Sequence, residues 1–174
     1  VAVASQGREI HIEALNARGE ALLPPVARVT RTVKEAVVEE ETPRLLRLSI
    51  APAVRILCEE ERARAPSVFS VRRAVVALFK SPADSNLGLY GAFGYDLAFQ
   101  FDPITHKLAR PTSQRDLVLY LPDEILVVDH YSAKAWIDAY EFSGDGFSTE
   151  GIAREETVAP FETTDRIPGR GDHG

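Results

Sequence analysis

An α+β fold with a mostly antiparallel sheet is predicted by three features of the sequence. Apolar and polar residues alternate over residues 9–15 and run into Asn16-Ala17-Arg18-Gly19. Apolar residues recur at three- and four-residue steps over 67–80. Three β-rich runs separated by tight turns fill 117–142.

Taken in order, Ile10, Ile12 and Ala14 alternate with His11 and Glu13, and Gly19 ends a turn before residues 20–23. The spacing predicts a β-hairpin with its second strand over 20–23. His11 falls on the polar face, as a solvated side chain without nearby ligand partners. Pro24-Pro25 breaks that pattern, and Val26, Val29, Val33, Ala36 and Val37 then follow a helical period toward the acid run Glu39-Glu40-Glu41. A helix over 26–41 with a solvated end is predicted. Pro43 stops it, and Leu45, Leu46, Leu48 and Ile50 make a strand closed by Pro52. Cys58 precedes Glu59-Glu60-Glu61, and carboxylates beside a thiol raise its pKa, so it reads as inert. The helix over 67–80 takes Ser67 as its cap, and Arg72 and Arg73 fall on its outer side.

Residues 85–102, SNLGLYGAFGYDLAFQFD, carry Gly88, Gly91 and Gly94 among five aromatics. The run 87–93 is predicted to be a central strand buried on both faces, its glycines placed where a backbone or large ring comes close. A corner follows at Gly94-Tyr95-Asp96, and 97–101 fits either a short helical turn or a second strand. After a polar connection, strands over 117–121, 124–130 and 134–142 form a three-strand meander. Asp129 and His130 are neighbours, but adjacent strand residues face opposite ways and no nucleophile elbow accompanies them. From Ser143 hydrophobicity falls, predicting a linker over 143–174 with one helical turn near 152–156. Arg170-Gly171-Asp172 is read as a chance match to an adhesion motif. No catalytic, cofactor-binding or metal-ligating residue is assigned, since no phosphate loop, dinucleotide fingerprint or zinc spacing occurs.

The composition bounds the partners. At 174 residues the chain suits one ordinary domain, and a net charge of −6 opposes nucleic acid as a partner. No apolar run has the length of a membrane span. One cysteine rules out an internal disulfide and favours a reducing compartment, the cytoplasm. The chain starts on Val, contains no Met and stops in a Gly-rich segment, which reads as a piece cut at both ends.

Residues 86–102 (NLGLYGAFGYDLAFQFD) and 116–131 (DLVLYLPDEILVVDHY) resemble the N-terminal region of anthranilate synthase component I. The similarity is greatest to the long form of soil α-proteobacteria, in which component I is fused to its glutamine amidotransferase. Residues 67–80 and the closing IPGRGDH fit the same family. The resemblance implies that 1–142 is part of the regulatory N-terminal domain of an α/β sandwich, and that 143–174 leads to a chorismate-binding domain. It implies a lyase that makes anthranilate and pyruvate from chorismate and glutamine-derived ammonia, in tryptophan biosynthesis. Mg²⁺ and chorismate would be bound outside this segment, which alone would be inactive and would expose an apolar interface. Implied partners are the chorismate-binding and amidotransferase domains, with tryptophan as feedback inhibitor. The segment forming much of that inhibitor pocket has no counterpart here. Alternatives are another chorismate enzyme, of the aminodeoxychorismate synthase or phenazine type, or a free-standing amino-acid-binding regulatory domain.

Overall fold

Apolar residues of five strands point to one side of an antiparallel sheet, where two helices cover them. The computed structural model describes residues 1–51, 66–101, 104, 107, 109–111 and 113–155. Cys58, Glu59–Glu61, His106 and Arg170-Gly171-Asp172 lie outside the described residues.

The elements are β1 (Ala2–Gln6), β2 (Glu9–Glu13), α1 (Ala17–Thr30), β3 (Ala36–Glu41), β4 (Leu45–Ile50), α2 (Val68–Phe79) and β5 (Tyr90–Phe93). A 3-10 helix (Tyr95–Gln100) follows, then β6 (Leu117–Tyr120), β7 (Glu124–Asp129), β8 (Lys134–Ala139), β9 (Ser143–Gly144) and β10 (Phe147–Ser148). The main sheet has six strands in the order β3-β4-β2-β1-β6-β5, and every pairing is antiparallel. The predicted α+β class holds.

Register fixes the buried face. Val3 lies opposite Ile12 and Leu119, and Ile10 and Ile12 lie opposite Leu48 and Leu46. These residues are at most 2% exposed, under Val26 and Ala27 of α1 and Val68, Val71 and Val75 of α2. Burying side chains of this size stabilises by roughly 1.5–3 kcal/mol each, so this layer dominates the fold.

Several predicted elements are corrected. β2 does pair in a hairpin, but with β1, through a turn at Gly7 (φ +56°) and Arg8. Asn16 is the N-cap of α1, its side chain accepting from Gly19 N at 2.9 Å. At Gly19 a Cβ would approach Ala14 Cα to 3.1 Å, a tight contact that glycine avoids. α1 then continues through Pro24 and Pro25. An interior proline costs about 3 kcal/mol, which the packing of Leu22, Leu23, Val26 and Ala27 offsets.

The helix predicted over 26–41 therefore stops at Thr30, and the acid run belongs to edge strand β3. There Glu39 accepts from Ser49, and Glu40 and Glu41 pair with Arg47 and Arg31. Charge on an edge strand blocks further strand pairing. The meander is also broken, because β6 leaves for the main sheet while β7 and β8 form their own two-stranded ribbon.

The stretch 85–102 departs furthest from expectation. β5 is the outer strand of the sheet, all four of its residues exposed, rather than a central strand. Of the two readings of 97–101, the helical turn is the one present. α2 occupies the predicted span, but Ser67 makes no side-chain cap. Gln100 Oε1 accepts instead from Val68 N at 3.4 Å, while its Nε2 donates to Gly7 O at 2.7 Å. Within the predicted linker, residues 143–148 form the small β9–β10 hairpin, and no helical turn is present over 152–155.

Candidate functional site

The most heavily bonded side chain among the described residues is Arg18, 2% exposed in the first turn of α1. A cation at a helix N-terminus opposes the helix dipole, so its position needs compensating acceptors. They come from the far end of the chain. Arg18 Nε donates to Asp123 Oδ2, and Nη1 and Nη2 reach the two Glu141 oxygens at 3.3 and 3.1 Å. The same nitrogens donate to the carbonyls of Ile152 (2.8 Å), Thr149 (3.0 Å) and Tyr140 (2.8 Å).

A second layer fixes these acceptors. Thr149 is fully buried; its hydroxyl donates to Glu141 Oε2 at 2.8 Å and accepts from Phe142 N at 2.9 Å. Arg154 Nη2 donates to Glu141 Oε1 at 2.8 Å and to Tyr140 O at 3.0 Å. Two guanidinium groups thus face two carboxylates, a nearly neutral cluster with its donors and acceptors engaged.

Burial alone would lower the Arg18 pKa, but the hydrogen bonds it donates to Glu141 and Asp123 outweigh that and raise it. The Thr149 hydroxyl, then Arg18, hold the Glu141 carboxyl below the usual carboxylate range. A depressed carboxyl pKa contributes stability above the unfolded value, near 4.5, that is lost as pH falls through the folded value. The melting-temperature gap between the parent and Glu141→Gln is therefore expected to be widest near neutral pH. It should narrow as pH falls below that unfolded value and close once pH is below the folded one. A pH-independent gap in a thermal denaturation series would contradict the assignment.

A cleft of about 230 Å³ opens beside Arg18, with Leu15, Leu22, Tyr120, Leu121 and Phe142 in its wall. Because the guanidinium is already saturated, it is not free to bind an anionic ligand there. The cluster's chemistry is that of a clamp joining α1 to 123–154.

A second knot holds the opposite end of the sheet. Asp116, 2% exposed, accepts from Gly7 N at 2.6 Å and from Arg110, which also pairs with Asp96 at 3.1 Å. Asp116 O takes Gly94 N, and Asp116 N donates to Ser5 O at 2.8 Å. Asp96 of the predicted corner thus has ionic partners.

The other residues singled out in the sequence fall outside both knots. Asp129 turns the β7–β8 loop, accepting from Tyr131 N at 2.9 Å and from the Ser132 amide and hydroxyl, which lower its pKa. His130 is exposed, and His11 is half-buried beside Glu9 and Arg115. Among the described residues there is no group of three or more His, Cys, Asp or Glu that could hold a metal. No described helix is long and apolar enough to cross a membrane.

What distinguishes the surface is apolar exposure. Tyr90 and Phe93 on β5 are 47% and 51% exposed, and Tyr95 is 84% exposed. Phe93 and Phe101 stack against Phe69, each at 6.0 Å between centroids, and Arg72 lies over the Phe93 ring. On the ribbon, Leu126 and Ile137 are 67% and 63% exposed.

Fold and site together define a sheet-and-helix layer with saturated internal polar clusters and open apolar faces. Comparison with curated proteins places it more closely. The chain is 52% identical over 174 residues to the anthranilate synthase of Azospirillum brasilense, covering 99% of this chain and 24% of that protein. It is 31% identical over 145 residues to anthranilate synthase component 1 of Serratia marcescens, covering 81% of this chain and 27% of that protein. Identity to the Escherichia coli component 1 is 28% over 143 residues. The chain is a homologue of anthranilate synthase component I, and spans about a quarter of the length of these relatives. No family model matches it.

Arg18 is the residue that sequence reasoning missed. Read as the third residue of a turn, it carried no signal, and its carboxylate partners lie 105 and 123 positions away.

Proposed function

We propose that these residues serve as the non-catalytic, regulatory part of an anthranilate synthase. The whole enzyme converts chorismate and glutamine-derived ammonia to anthranilate and pyruvate, the first step of tryptophan biosynthesis, in the cytoplasm. Chorismate and Mg²⁺ bind in a further domain of the same polypeptide, a fused amidotransferase domain delivers ammonia, and tryptophan is the feedback inhibitor. The observation that carries this reading is the 52% identity running across 99% of the chain. The saturation of Arg18 and Asp116 by internal partners supports a structural role for the segment rather than a chemical one.

The test is to express the complete gene product containing this segment and supply chorismate, Mg²⁺ and glutamine. Anthranilate fluorescence together with stoichiometric pyruvate is expected. An aminated chorismate that keeps its enolpyruvyl group, with no pyruvate released, would assign the protein to another chorismate enzyme and overturn the proposal. Stop codons flanking the segment would leave a free-standing domain instead.

A further inference from the structure

Residues 149–154 lie across the Arg18 cluster and are held there by polar contacts. Neither apolar core includes any of them. Ile152 is half-buried, Glu150, Gly151, Ala153 and Arg154 are exposed, and the one fully buried residue, Thr149, is polar. Arg18 donates to the carbonyls of Thr149 and Ile152 at 3.0 and 2.8 Å, and to the Thr149 hydroxyl at 3.3 Å. Thr149 N donates to Phe142 O at 2.9 Å, and Arg154 closes the far end on Tyr140 O and Glu141.

We infer that residues 149–154 form an acid-released strap, which swings off the body as one unit while the six-stranded sheet stays folded. A hydrogen bond given up by the strap is replaced by one to water, so its net loss is small beside that of buried apolar area. Release also strands no charge, because Arg18 keeps Asp123, both oxygens of Glu141 and the Tyr140 carbonyl. Segments with few buried apolar contacts open at the low end of a protein's range of local stabilities. Thr149 is part of the cleft wall beside Arg18 and Phe142, so the strap's departure widens the cleft.

Glu141 is the latch. It holds the strap at both ends, through the Thr149 hydroxyl at 2.8 Å and Arg154 at 2.8 Å, while staying anchored to Arg18. Opening takes the hydroxyl and Arg154 away from it, and both favour its ionised form, so the open state binds a proton more tightly. Acid therefore promotes release. The charged groups facing Glu141 are Arg18 on α1 and Arg154 on the strap. Asp123 and Glu124 share Arg154 with it, and the Val1 amine lies near Asp123. Glu155, just past the strap, acts on Arg44 instead.

The test is hydrogen exchange read by mass spectrometry on the complete gene product, in steps from about pH 7 to about pH 4, with intrinsic rates divided out. The amides of Thr149 and Ile152 are expected to be less protected than those of β1, β2 and β4 throughout. Their protection should fall by about tenfold over the series before the core strands lose any. Glu141→Gln is expected to loosen the strap at neutral pH and to flatten its pH dependence. Arg154→Gln, at the surface, is the second variant should the first not fold, and is expected to loosen the strap at neutral pH as well. Strap and core losing protection at the same pH, a strap as protected as the core, or protection unmoved by acid or by both substitutions would each overturn the inference. The strap does not rest on the enzyme reading, since exchange is followed without chorismate, and a protein that makes no anthranilate but releases the strap keeps it.

Discussion

Replacing Arg18 by alanine is expected to destabilise the fold by about 3 kcal/mol. Breaking a buried ion pair by removing one partner costs roughly 3–5 kcal/mol, because the other charge is left unpaired. Here the side chains of Asp123 and Glu141 are 29% and 44% exposed, so water recovers part of their hydration and the lower end applies. The carbonyls of Tyr140, Thr149 and Ile152 lose a donor as well. For a chain of this length that corresponds to a fall in melting temperature of about 10 °C. Arg18→Lys keeps the charge but offers a compact ammonium in place of the planar fork, and is expected to recover no more than about half the loss. Urea midpoints of parent, Arg18→Ala and Arg18→Lys decide the matter. A loss under about 1 kcal/mol for alanine would reduce the cluster to an ordinary surface ion pair.

Gly91→Ala is expected to have the second large effect, and a local one. Gly91 lies opposite Leu119 in the β5–β6 pairing, where a Cβ would sit 2.0 Å from Val118 O and 2.9 Å from Leu119 Cα. Both atoms are backbone, so nothing can rotate aside and β5 must lift away from β6. The cost is on the order of 3 kcal/mol, in the range of steric overpacking. Because β5 is the outermost strand, the core under β1, β2 and β4 should survive. Hydrogen exchange is expected to show protection lost at Tyr90–Phe93 and in β6 but kept in β2 and β4. Gly88→Ala is the control, since its nearest neighbour is the Tyr90 ring at 3.9 Å, and it should change stability by less than about 0.5 kcal/mol. Unchanged protection of β5 in Gly91→Ala would refute the close approach.

The glycines of 85–102 illustrate what the sequence could reveal. Their number signals close backbone approach, and Gly91 and Gly94 do meet backbone, at Val118 and Asp116. The partner is strand β6 of the same sheet, which no spacing along the chain announces. β4, α2 and the β7–β8 ribbon were legible because their apolar periods are uninterrupted and their turns lie at their ends. α1 was not, because Asn16 and Gly19 serve a hairpin turn or a helix start equally well, and because packing overrides the two prolines. β3 was hidden by its glutamates, which suit a helix end on composition and an edge strand on topology. The Arg18 clamp was out of reach altogether, since its partners come from residues 123–152.

On the reading proposed above, this segment supplies structure while the chemistry lies elsewhere in the polypeptide. The most direct measurement is kcat and KM for chorismate in the complete protein carrying Arg18→Ala, taken well below its melting temperature. A lowered melting temperature with kcat and KM unchanged per folded molecule is expected. A fall in kcat with the melting temperature unchanged would contradict it, and would move Arg18 from the scaffold into the catalytic machinery.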